Sequence, residues 1–222
     1  MLDTFITIFT EIAIGFSEKD VWELIAVLLA LAYLVLALRE SIWCWPAAFI
    51  STAIYTGLFW HVSLLMDSAL NVYYMAMAVY GGWVWRAQSG STAVTTITTW
   101  PWRWHATVIL AIVVASALSG YLLDQNTEAA WPYLDSFTTW ASVITTYMVA
   151  KKVLENWCYW IVIDSVALGL YIERGLYPTA FLLVIYLVIC VFGYFSWRKI
   201  WLGSSAAKIR DNNEHECAAL SL

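Results

Sequence analysis

The stretch ENWCYWIVIDS, Glu155 to Ser165, sets Trp157, Trp160 and Asp164 at steps of three and four residues inside an otherwise apolar run. That spacing puts two indoles and a carboxylate on one side of a helix. Within a lipid span, an aspartate near the helix centre costs at least ~2.5–3.5 kcal/mol, so it is a functional candidate by default.

The setting is a membrane. Of 222 residues 62% are hydrophobic and 12% charged, against about 25% charged in an ordinary soluble domain. A hydrocarbon core of ~30 Å needs ~20 mostly apolar residues in a helix, and the sequence has seven such runs, near 21–38, 42–60, 64–85, 104–123, 136–150, 157–172 and 177–197. They are continuous and do not alternate, which favours helices over a membrane barrel. The expected fold is all-α, with seven transmembrane helices.

An odd number of spans puts the termini on opposite sides. Lys19 and Arg174 then share one side, while Arg39, Arg86, Arg103, Lys151, Lys152, Arg198, Lys199, Lys208 and Arg210 share the other. The positive-inside rule therefore predicts a multi-pass membrane protein, N-terminus outside and C-terminus cytoplasmic. The basic residues do not cluster into a nucleic-acid-binding face. Cys44, Cys158, Cys190 and Cys217 include no C-x-x-C pair, so no disulfide framework is expected.

An internal repeat organises the chain. WCW at 43–45 resembles WCYW at 157–160, and YGGWVWR at 80–86 resembles FGYFSWR at 192–198. Aligning Trp45 with Trp160 gives an offset of 115 and Arg86 with Arg198 an offset of 112, reconciled by a three-residue gap. The domain reading is an interfacial helix at 1–18, a three-helix repeat at 19–86, and a loop, linker helix and external loop at 87–134. A second three-helix repeat follows at 135–202, with a disordered cytoplasmic tail at 203–222. One linker helix between the repeats makes them parallel, a 3+1+3 plan with a substrate site between the halves. Pro46 and Pro178 are candidate pivots, or simply prolines of a first helical turn.

Candidate binding residues follow from helical spacing. Asp67, Asn71 and Tyr74 form a stripe on the third span; Trp157, Trp160 and Asp164 form one on the sixth; Trp140 and Tyr147 come from the fifth, and Trp45 and Phe49 from the second. The other tryptophans, including Trp85 and Trp197, fall at span ends and read as an interfacial belt. Asp164 has no basic residue within any span to pair with, so it awaits a cation, a proton or a hydrogen-bonding ligand. Aromatic faces attract cations, and a Trp/Tyr-lined cavity with a carboxylate suits a flat cationic vitamin. No phosphate-cradling G-x-x-x-x-G-K-[ST] and no H-E-x-x-H occur, so no ATPase, metal, cofactor or enzymatic activity is expected.

These residues resemble the PnuC family of bacterial B-vitamin transporters over roughly 20–199. The resemblance rests on the family's W-x-x-W-x-x-x-[N/D] motif, met by Trp157, Trp160 and Asp164, on YGGWVW at 80–85, and on the 3+1+3 layout. It implies a SWEET-like fold and facilitated diffusion of a vitamin that an intracellular kinase then traps by phosphorylation. Family members carry nicotinamide riboside, and subgroups carry thiamine or riboflavin. This chain has Asn71 where nicotinamide riboside members have Gln, and Ala78 where they have Asn. Two amides suited to a ribose or carboxamide are thus shortened or missing, and Asp164 with Asp67 supplies acids instead. The expected substrate is thiamine, with nicotinamide riboside as the alternative. A vitamin-binding receptor or enzyme is the competing class, and a homo-oligomer is compatible with either.

Overall fold

The computed structural model describes residues 21–61, 65–89, 97–126, 131–173 and 176–220. Among them the chain forms seven helices and no strand: α1 Val21–Leu38, α2 Cys44–His61, α3 Leu65–Ser89, α4 Trp102–Asn126, α5 Pro132–Ala150, α6 Asn156–Glu173 and α7 Tyr177–Leu220. Apart from the end of α7, every boundary lies within four residues of its sequence expectation. The expected interfacial helix at 1–18 lies outside the described residues. Pro46 and Pro178 fall in the first turns of α2 and α7, where a missing N–H breaks no helical hydrogen bond.

Two expectations change. Three helices, Val21–Leu38, Trp102–Asn126 and Tyr177–Ala206, are long and apolar enough to cross a membrane by length and composition. The others carry more polar side chains, and these turn inward: Ser51 on α2 donates to the Ala26 carbonyl of α1 at 2.8 Å, and Tyr73 on α3 donates to the Val143 carbonyl of α5 at 2.8 Å. Thr145 and Thr146 donate to the carbonyls four residues back. The second change is the tail, where disorder was expected but α7 continues to Leu220. No proline or glycine interrupts residues 204–220, and Ala, Lys, Arg and Glu there favour helix.

Helices neighbouring in sequence pack as hairpins: α1 with α2, α2 with α3, α4 with α5, α6 with α7. Contacts between distant parts of the chain come as a reciprocal pair, α3 against α5 and α1 against α7. The hydrogen bonds repeat that reciprocity. Trp85 at the end of α3 donates its indole N–H to the Ala150 carbonyl closing α5, and Trp197 on α7 donates to the Ala37 carbonyl closing α1, each at 3.1 Å.

The packing revises the repeat alignment. A Cβ on Gly81 would run into the Trp45 ring, and one on Gly193 would lie 2.6 Å from the Trp157 ring. Trp45 meets Trp85 edge to face at 5.3 Å, and Trp157 meets Trp197 edge to face at 5.4 Å. Residues 45 and 157, 81 and 193, 85 and 197 are each 112 apart. Trp45 thus corresponds to Trp157 and not to Trp160, and no gap is needed. The shared letters WCW misled the alignment because they record identity, whereas the structural equivalence is an indole seated on a glycine.

The same offset joins Glu40 to Lys152. Both have positive φ, 52° and 54°, just past the ends of α1 and α5. Each closes its helix with a Schellman pattern: Glu40 N–H to the Ala37 carbonyl and Ser41 N–H to that of Leu36, then Lys152 N–H to that of Val149 and Val153 N–H to that of Met148. Glycine is usual there, because a Cβ in the left-handed region costs roughly 1–2 kcal/mol. Here the two strained residues hold each other, with Lys152 Nζ 2.7 Å from Glu40 Oε2 and 4.4 Å from the Trp85 ring centre.

Candidate functional site

Asp164 sits two turns into α6 and is 7% exposed. Its hydrogen-bond contact among the described residues is the Cys190 thiol of α7, at 4.0 Å from Oδ2. That is the outer limit for a sulfur donor, and a thiol donates weakly. No ion pair engages Asp164 among the described residues. Trp160, one turn earlier and half-buried, packs against both hydrophobic clusters of the molecule. A carboxylate and a partly open indole therefore share one helix face without a strong protein partner for the acid.

The other expected residues divide by environment. Trp45 and Trp157 are 3% and 2% exposed, their rings packed by glycine and tryptophan, and neither indole N–H has a hydrogen-bond partner among the described residues. Asn71 on α3 is buried, and Tyr74 is half-buried beside Tyr73 at 5.8 Å between centres. Asp67 lies in the first turn of α3, and its side chain is outside the described residues. Phe49 is exposed. Trp140 turns to α4, donating to the Ser119 hydroxyl at 3.1 Å. Tyr147 stacks on Tyr80 at 6.3 Å with Lys151 Nζ 5.6 Å above it, at the helix end that carries the basic residues. Trp157, Trp160 and Asp164 on α6 and Asn71 and Tyr74 on α3 are thus buried or half-buried, while Trp140 and Tyr147 are engaged elsewhere.

Sequence reasoning missed two features. Cys190 beside Asp164 carried no signal, because a lone cysteine in an apolar run reads as packing. Trp85 and Trp197, read as belt residues, are 2% and 0% exposed. The Gly-x-x-x-Trp spacing shared by 81–85 and 193–197 could have revealed them. Trp43, Trp60, Trp83, Trp102 and Trp104 are exposed, as a belt requires.

Comparison with known proteins places the chain in a class of membrane transporters. The family model described as nicotinamide mononucleotide transporter matches residues 20–199, and the chain belongs to that family, the PnuC family. The riboflavin/roseoflavin transporter RibM of Streptomyces davaonensis is 26% identical over 88% of this chain and 92% of its own length. The nicotinamide riboside transporter PnuC of Escherichia coli is 21% identical over 89% and 92%. A crystal structure of the vitamin B3 transporter PnuC superposes with a TM-score of 0.69 at 23% identity, covering 88% of this chain and 89% of that one. The likeness establishes the shared helical fold. Family membership and the apolar helices make the protein membrane-embedded.

Proposed function

We propose that the chain is a facilitated-diffusion transporter for a flat, cationic B vitamin, built as two parallel three-helix units joined by α4. Thiamine is the substrate read from the residues. The observation that carries this is Asp164, buried on the face shared with Trp160 and held, among the described residues, only by a distant thiol. A cationic aromatic ligand would neutralise the acid and stack on the indole, a pairing worth ~2 kcal/mol or more when desolvated.

The 112-residue correspondence supports the two-unit plan. Glu40 meets its own counterpart Lys152, and Trp85 meets its counterpart Trp197 at 6.3 Å. Self-meeting of equivalent residues is what a two-fold axis produces. Rocking about that axis would alternate access to a site between the units. Inward import, trapping by an intracellular kinase and a cytoplasmic C-terminus complete the reading, with the basic ends of the helices facing the cytoplasm.

The names of these relatives speak for riboflavin and nicotinamide riboside, whereas thiamine rests on the residues of this chain alone. Charge separates them: thiamine and nicotinamide riboside are cations and riboflavin is not. The test is uptake of the three labelled vitamins into proteoliposomes without ATP or an ion gradient. Thiamine should equilibrate and Asp164→Asn should weaken its binding about tenfold. Equilibration of riboflavin alone, or undiminished thiamine affinity in the variant, overturns the charge argument. Binding without flux makes the protein a receptor, and conversion to a new species makes it an enzyme.

A further inference from the structure

The described residues hold a second polar constellation, on the opposite side of α6 from Asp164. Trp100, His105 and Ile109 from α4 and its approach, Phe137 and Ala141 from α5, and Glu155, Tyr159 and Val162 beside or on α6 line a cavity of about 660 Å³. That volume lies within the ~300–1,000 Å³ range of small-molecule sites. Its walls are graded. At one end Glu155 Oε2 accepts from the Trp100 backbone N–H at 3.4 Å, and His105 Nδ1 lies 3.0 Å from the Tyr159 hydroxyl. The opposite side carries Ile109, Val113 and Val162, which are 45%, 54% and 53% exposed.

Two observations point to a ligand at the polar end. His105 is 8% exposed and its Nε2 has no hydrogen-bond partner among the described residues, lying 4.0 Å from Glu155 Oε2. An unsatisfied buried nitrogen costs ~1–3 kcal/mol, so the site is incomplete as the protein alone supplies it. The Glu155 carboxylate, part-exposed, has no lysine or arginine partner among the described residues. An ammonium, with its charge and N–H donors, would pair with the part-exposed Glu155 carboxylate, His105 lying beside it.

The open side decides what carries that ammonium. Exposed aliphatic residues on α4 and α6 border it, so the cavity opens laterally to hydrocarbon. Trp102 and Trp104 beside its polar end, 76% and 60% exposed, mark the level of the headgroups. We propose that this cavity is a lipid site that holds one amine-headed phospholipid, its ammonium on Glu155 beside His105 and an acyl chain along Ile109, Val113, Phe137 and Val162. The site lies where the linker helix α4 rests on α5, so the lipid would brace α4 against the second helical unit. This inference is independent of which vitamin is carried.

Cys158 lines the cavity and is exposed, whereas Cys44 and Cys190 are buried. With Cys217→Ser in the full-length protein in nanodiscs, the rate of maleimide reaction at Cys158 reports occupancy. Phosphatidylethanolamine should slow labelling at least fivefold relative to phosphatidylcholine, which has no N–H donor, and to phosphatidylglycerol, which has no cation. Glu155→Gln should abolish the difference. Native mass spectrometry should show one phosphatidylethanolamine retained by the wild-type chain and lost in that variant. Equal labelling in all three lipids, or the same retention by Glu155→Gln, overturns the proposal. So does protection by thiamine or nicotinamide riboside, which would make the cavity a vitamin site. Protection that follows protein concentration would instead assign the face to a second copy of the chain, and overturns it as well.

Discussion

The basic end of the helices and the middle of the membrane-spanning part obey different rules. At the basic end the main packing contacts recur or meet themselves at an offset of 112 residues: Trp45 on Gly81 and Trp157 on Gly193, Glu40 against Lys152, Trp85 against Trp197. In the middle the halves diverge. Thr52 stands where the second half has Asp164, and Asn71 where it has Leu183. Thr52 satisfies itself, donating to the Ala48 carbonyl at 2.8 Å, while Asp164 has, among the described residues, only a distant thiol. Paired packing suits a joint that both halves must share as they move. A ligand without two-fold symmetry needs a binding surface that lacks it too.

The sharpest way to break the paired end is to strip one charge from its centre. Glu40→Gln leaves Lys152, 5% exposed, without its anion, and loss of one member of a buried pair costs roughly 3–5 kcal/mol. A large fall in thermal stability in detergent is expected, with partial recovery in the exchanged pair Glu40→Lys/Lys152→Glu. A fall below 1 kcal/mol would make the pair incidental.

Next come the glycines. Gly81→Ala and Gly193→Ala each force a methyl against an indole, and overpacking of this kind costs roughly 1–3 kcal/mol. Gly57→Ala and Gly169→Ala have open space, and on a helix should be neutral or stabilising. If thermal melts separate Gly81 from Gly193, the two halves are not equivalent where they look most alike.

A smaller effect tests the middle. Thr52→Val removes only a hydroxyl bonded to its own helix, and vitamin affinity should stay within about twofold, against about tenfold for Asp164→Asn, roughly 1.4 kcal/mol. Equal losses at both positions would mean that the site is symmetric after all. Trp85→Phe and Trp197→Phe each lose an indole hydrogen bond worth about 1 kcal/mol together with packed ring volume, and should give matched falls in melting temperature.

The sequence carried much of this. Run length and continuity located the helices to within a few residues, because backbone hydrogen bonding in lipid leaves no other local solution. The inward stripe of Trp160 and Asp164 was legible from spacing alone. Trp140 and Tyr147 obeyed the same spacing, yet one bonds Ser119 and the other stacks on Tyr80. Periodicity gives a residue's position around its own helix but not which neighbour occupies that side. The left-handed caps at Glu40 and Lys152 were invisible for a related reason: glycine is the usual sign of that backbone, and two charged residues sustain it here only by meeting each other.

By itself, then, the sequence determined a helical membrane protein with an internal repeat and an acid deep in its sixth helix, since composition and period are properties of single segments. Only the tertiary structure decided that Trp45 answers Trp157, that Trp85 and Trp197 lie inside, and that His105 and Glu155 share a cavity. Those facts depend on helices meeting across fifty to more than a hundred residues of chain, and no local pattern encodes which surfaces come together.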